Sequence, residues 1–167
     1  MVLRAIKWVQ CGAAVPDILR KAESKMTSLM GTYYHNIDVK GRMNFPTKLR
    51  EILGISFYIT KSIDSPCLTV YSQEEWNKLS EKVAEMPASK SGAIKRWLFS
   101  GACEVTPDKQ GRILLPQELR TFAGLKKDIV VIGANDKAEI WDKARWDVMN
   151  SSIDMEELLA TMSELGF

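Results

Sequence analysis

Two arginines in this chain stand where a side chain can work on an anion. Arg42 and Arg112 each close a turn that opens on an aspartate, Asp38 or Asp108, and that carries a glycine, Gly41 or Gly111, just before the arginine. A guanidinium holds a permanent charge and five N–H donors in a planar fork. It therefore suits both phosphate oxygens and the N7/O6 edge of guanine. Just after a hairpin turn, such a side chain projects away from the core. Lys40 and Lys109 add charge within the same turns, while Arg50 and Arg120 follow on a short helix and offer further phosphate contacts. A local reading competes with this one. Each turn arginine can pair with its aspartate and hold the turn, an exposed ion pair that contributes little to stability. Arg50 and Arg120 can likewise answer the helix dipole at a helix end. Both readings stay open at this level.

Other chemistries lack parts. His35 is the only histidine, and the 3 cysteines, Cys11, Cys67 and Cys103, show no CxxC spacing. That argues against a zinc site and a disulfide framework, and for a reducing cytoplasm. There is no phosphate loop and no Ser/His/Asp or Cys/His set. Asp38 and Asp108 would make an acid–base dyad only by meeting at a symmetry axis, and beside glycines they read instead as turn-formers. The expectation is a protein that is not an enzyme, with no catalytic residues, no metal and no cofactor. No apolar run approaches the roughly 20 residues of a membrane helix, so no membrane partner is expected.

Net charge is only +2 over 167 residues, and it is uneven. Residues 1–25 carry five basic and two acidic residues, whereas residues 151–167 carry four acidic residues and no base. Binding to a polyanion would thus come from local patches repeated over several subunits, not from bulk charge.

The turns belong to a larger duplication. "DVKGRMNFPTKLREILG" from Asp38 returns as "DKQGRILLPQELRTFAG" from Asp108. The same offset aligns Pro46 with Pro116, Leu49 with Leu119, Arg50 with Arg120, Gly54 with Gly124 and Trp76 with Trp146. A common register over about forty positions marks an internal repeat, and two copies suit a pseudo-symmetric pair better than a solenoid. Each copy spells a β-rich stretch, the turn, a short apolar strand ("MNF", "ILL"), a helix opened by proline and closed by glycine, and two further strands. Ser72 is a plausible cap for a helix with Trp76, Leu79, Val83 and Met86 on one face. "MPASKSG" reads as a linker. Ile94, Trp97 and Leu98 mark a second helix. Met155, Leu158, Leu159 and Met162 mark a last one, with Asp154 and Glu157 as a capping pair.

The paired Asp-x-x-x-Arg turns and the Gly-Arg-x-x-x-Pro-x-x-x-Arg runs resemble the MraZ family of bacterial transcriptional regulators. "MGTYYHNIDVKGRMNFPTKLRE" is similar to that family's first signature and "LFSGACEVTPDKQGRILLPQELRTFAGL" to its central one. The resemblance spans residues 30–150. It implies an α+β, mainly β fold in which two AbrB-like strand-helix-strand-strand repeats intertwine into one pseudo-dimeric β-barrel flanked by amphipathic helices. It further implies a ring-shaped homo-oligomer in the cytoplasm, associated with the nucleoid. Such a ring would bind double-stranded DNA at promoter repeats and repress its own division and cell-wall gene cluster. An antitoxin-like or scaffold protein-binding module of the same fold is the alternative. The family's DNA-contact arginine carries over to Arg42. Arg112 follows through the repeat, although Gln110 replaces the lysine found at Lys40.

The organisation expected is a first repeat with its helix at 30–86, a linker and helix at 87–99, a second repeat at 100–150 and an acidic helix at 151–167. Residues 1–25 lie outside the resemblance. They are expected to be an extension apart from the fold, with a basic arm toward DNA or a neighbouring subunit as the other possibility.

Overall fold

The two copies of the repeat fold by the same local rules. The computed structural model describes residues 28–167, and the expected extension lies outside them. The element order is β1 (Thr32–Asn36), β2 (Arg42–Asn44), α1 (Thr47–Leu53), β3 (Phe57–Lys61), β4 (Leu68–Ser72), α2 (Gln73–Glu85) and α3 (Ala88–Ser100). It continues with β5 (Cys103–Val105), β6 (Arg112–Leu114), α4 (Gln117–Ala123), β7 (Asp128–Ala134), β8 (Lys137–Asp142), α5 (Lys143–Ser151) and α6 (Met155–Glu164). Pro46 and Pro116 stand at the N-caps of α1 and α4, with φ near −54° preset by the ring. Gly54 and Gly124 stop the same helices at positive φ.

Six strands form one antiparallel sheet in the order β1-β7-β8-β4-β3-β5, and β2 pairs with β6 in a separate ribbon. Strands of one copy pair with strands of the other: Tyr34 lies opposite Val130, Ile59 opposite Cys103, and Leu68 opposite Ile140. Leu49 of α1 and Leu119 of α4 are buried in one core with Phe57, Ile59, Val70, Ile129, Val131 and Ile140. Each such side chain contributes about 1.5–3 kcal/mol by leaving water.

The sheets correct the barrel expectation. Closure needs an unbroken ladder with a consistent stagger. Here β1 and β5 are the free edges of the large sheet, and among the described residues no ladder joins them. The ribbon strands are three residues long and run through Phe45 and Leu115 into prolines, which have no N–H to continue a ladder. The architecture is mixed α+β and not mainly β, since the described helices hold more residues than the described strands.

A satellite cluster settles the first helical stripe. Trp76 and Val83 of α2 are buried with Leu98 of α3. The Tyr58 ring stacks on Trp76 at 5.1 Å between centroids, and Phe99 meets it edge-on at 5.2 Å. Ser72 caps α2 by accepting from the Glu75 N–H at 3.2 Å. The expected linker shrinks to Met86 and Pro87, because α3 already begins at Ala88. Pro87 presets the first turn, and the N–H groups of Lys90 and Ser91 bond back to its carbonyl at 2.9 and 3.0 Å. No helix among the described residues is long and apolar enough to cross a membrane.

Candidate functional site

Asp38 and Asp108 organise identical turns. Asp38 Oδ1 accepts from the backbone N–H groups of Lys40 and Arg42, both at 2.9 Å, and its carbonyl accepts from Gly41 N–H at 2.9 Å. Asp108 repeats this with Gln110, Arg112 and Gly111. The chain can close so tightly because Gly41 and Gly111 hold φ of 82° and 77°, a region that a Cβ disfavours. The second carboxylate oxygen takes the arginine itself. Arg42 Nε donates to Asp38 Oδ2 at 2.7 Å, and Arg112 Nε donates to Asp108 Oδ2 at 2.8 Å.

The ion pair of the local reading is present at both turns, and it uses only part of each guanidinium. The ion pair engages Nε alone. Among the described residues, neither the Nη1 nor the Nη2 of either arginine has a hydrogen-bond partner. Each guanidinium is held through one nitrogen, on a side chain that is 38% exposed at Arg42 and 35% at Arg112. The Arg42 backbone N–H holds the Asp38 carboxyl below its ordinary range; desolvation opposes it, and the Arg42 guanidinium and the Lys40 N–H add to the lowering. Arg112 and Gln110 do the same for Asp108.

The ribbon brings the turns together. Arg42 lies opposite Leu114, Met43 opposite Ile113, and Asn44 opposite Arg112. Side chains alternate across a strand, so Met43 and Ile113 point inward, each only 2% exposed. Arg42, Asn44, Arg112 and Leu114 share the outer face. Lys40 and Lys109 are exposed on the flanking turns. Four of the expected cationic residues thus gather on one short ribbon.

Arg50 and Arg120 are placed otherwise. Arg50 Nε donates to the Phe45 carbonyl at 3.0 Å and Nη2 to Thr47 Oγ1 at 3.0 Å. Arg120 Nε donates to the Leu115 carbonyl at 3.0 Å. These acceptors lie at or just before the start of the helix, so neither arginine answers the carbonyls at the helix end. Their guanidinium groups also pack against the turn of the opposite copy, Arg50 at Gly111 and Arg120 at Gly41. They brace the turns from below.

Asn44 and Leu114 are outer-face residues that sequence reasoning passed over. The signal was present: each stands two residues after a turn arginine on a strand of period two. A polar groove of about 590 Å³ borders Asn44 and is lined by Tyr34, His35, Asn36, Asp128 and Lys143. Burial lowers the His35 pKa from its ordinary value, so its imidazole is neutral near pH 7.

Nothing in this arrangement assembles a catalytic set. Among the described residues no three His, Cys, Asp or Glu side chains converge as metal ligands. Burial pushes the Cys67 thiol up to about 12 and raises that of Cys103. Both stay protonated at neutral pH, the wrong state for a nucleophile or a metal ligand. Asp38 and Asp108 are each committed to their own turn.

A family model described as "MraZ protein, putative antitoxin-like" matches residues 28–94 and again residues 98–164. The chain is 44% identical over 140 residues to a transcriptional regulator MraZ of Acetivibrio thermocellus, a match that covers 81% of this chain and 97% of that protein. It is 45% identical to the one of Clostridium tetani over 140 residues, covering 82% and 98%. With that of Heliobacterium modesticaldum it shares 50% over 123 residues, covering 72% and 85%.

Proposed function

The chain belongs to the MraZ family, and from that membership we propose that it is a sequence-specific DNA-binding transcriptional regulator whose reading head is the β2–β6 ribbon. It is a regulator of the MraZ type and not an enzyme. The observation that carries the DNA-reading assignment is the pair of turn arginines, each held through one nitrogen. Within each guanidinium, Asp38 or Asp108 binds Nε alone, which leaves Nη donors for a guanine edge or a phosphate. A two-stranded ribbon also has the width that a major groove admits. Lys40 and Lys109 on the turns supply phosphate contacts. Arg50 and Arg120 serve indirectly, by bracing the turns.

The targets are repeated boxes in the promoter of its own division and cell-wall gene cluster, as the family resemblance implies, and the protein represses them from the cytoplasm at the nucleoid. One chain offers few cations, so several copies in a ring supply the avidity. The face of α6 supports assembly: Met155, Leu158, Leu159 and Met162 are all exposed in the single chain. The same face favours the second reading, in which a protein partner of the antitoxin-like kind docks there. The two repeats, the joining helix, the acidic C-terminal helix and a dispensable extension over 1–25 remain the organisation we propose.

The test is a binding titration of Arg42→Ala on the promoter upstream of the protein's own gene, with size-exclusion chromatography as control. Loss of promoter binding with an intact assembly is expected. Parental binding by the variant would make the turn structural and end the reading. Retained DNA binding with loss of a protein partner would favour the module.

A further inference from the structure

The outer face of the ribbon is symmetric in backbone and asymmetric in chemistry. The repeat relates Arg42 to Arg112 and Asn44 to Leu114, and the pseudo-twofold axis passes between Met43 and Ile113. Two of the four outward positions are therefore the same arginine, while the other two differ in kind. Arg42 stands beside Leu114, and Arg112 stands beside Asn44.

Neither odd residue is explained by the fold. Asparagine is disfavoured in strands. Asn44 is exposed, and its side chain makes no hydrogen bond to any described residue. A single exposed leucine means little by itself. Leu114, however, is 57% exposed in the middle of a cationic face, at the position equivalent to Asn44. Residues two apart on a strand are separated by about 7 Å, close to two base-pair steps. When Arg42 or Arg112 engages a base or a phosphate, positions 44 and 114 are thus the next to meet base edges.

Resting on the DNA-reading function proposed above, we infer that Asn44 and Leu114 are the specificity-determining residues that make the two halves of the ribbon read different bases. The Asn44 amide pairs with the N6/N7 edge of an adenine, as its one donor and one acceptor side by side allow. Leu114 has no hydrogen-bonding group and packs on a thymine methyl. The box read by one subunit is consequently not its own inverted repeat, although the ribbon that reads it has pseudo-twofold symmetry.

The experiment is selection from a pool of synthetic duplexes with a randomised central region, using the full chain and the variants Asn44→Ala, Asn44→Leu, Leu114→Ala and Arg42→Ala. Melting curves check that each variant is folded. The parent is expected to select a box with an adenine·thymine pair at two distinct positions. Asn44→Ala should lose discrimination at one of them by roughly 5- to 100-fold, with an unchanged salt slope. Leu114→Ala should relax the other by about 4-fold per lost methyl contact. Asn44→Leu should make the two half-boxes more alike. An Asn44→Ala profile identical to the parent's, with Arg42→Ala inactive, would overturn the inference and leave the DNA-reading function standing. A parent that selects no box, or an Arg42→Ala that selects the parental one, would overturn both.

Discussion

The Arg50 guanidinium fills the space beside Gly111 that a side chain would take: a Cβ there would stand 2.5 Å from Arg50 Nη2 and 2.6 Å from Cζ. Arg120 repeats the relation at Gly41, where the nearest approach would be 2.7 Å to Cζ. The two copies of the motif therefore lock each other. Each helix arginine supports the turn of the opposite copy, and each turn glycine makes room for it. Glycine here answers two demands at once, a positive φ and an occupied neighbouring space.

This lock predicts non-additive stability. Gly111→Ala is expected to cost about 1–2 kcal/mol from backbone strain alone. Arg50→Ala should cost a similar 1–2 kcal/mol through its lost hydrogen bonds. The double variant should lose less than the sum, by at least about 0.5 kcal/mol, since the new Cβ then has nothing to displace. Denaturant unfolding of the four proteins measures this coupling, and strict additivity would show that the guanidinium does not occupy that space.

The two turn arginines should differ in their effect on DNA. Arg42→Ala should weaken promoter binding by about 1–3 kcal/mol per engaged subunit if it contacts a base. Arg112→Ala, beside Gln110 in place of a lysine, should be milder. Titrations at several salt concentrations separate the roles. A lost phosphate contact reduces the salt slope by about 0.9 per subunit, whereas a lost base contact leaves it alone and relaxes preference at one position.

Asp38 and Asp108 should titrate below 3.8, the ordinary value of an aspartate. A depressed carboxylate contributes stability that is present above the unfolded-state pKa and is lost as pH falls through the folded-state value. The turns should therefore keep their geometry across the neutral and mildly acid range and loosen only below about pH 4. Carboxyl carbon shifts followed by NMR would check this, and a midpoint above 3.8 would contradict it. Asp38→Asn keeps an acceptor for the two backbone N–H groups but weakens the hold on Nε. It should lower DNA affinity more than it lowers the melting temperature.

Light scattering at micromolar concentration should give a species larger than a dimer. Replacing Leu158 and Leu159 together by Glu should dissociate it without melting the core, because both side chains are exposed in the single chain. A monomeric parent would remove the basis for ring-dependent avidity.

The duplication, both Asp-to-Arg turns, the proline-opened and glycine-closed helices and the Ser72 cap were legible in the sequence. Each is decided by a few neighbouring residues: a carboxylate that reaches N–H groups two and four positions on, a glycine that tolerates positive φ, a proline that presets a helical φ. The linker expected over Met86–Gly92 misled because Pro87 marks a helix start as readily as a break. Other features depended on which segments lie opposite one another. The period of a strand says that Arg42 and Asn44 share a face, but not that Leu114 and Arg112 lie across from them. Nothing local says that Arg50 passes under Gly111, or that the prolines after β2 and β6 leave the ribbon outside the six-stranded sheet and the barrel unclosed. Those outcomes were set by packing between residues about seventy positions apart, where register and free space, not local preference, decide the energy.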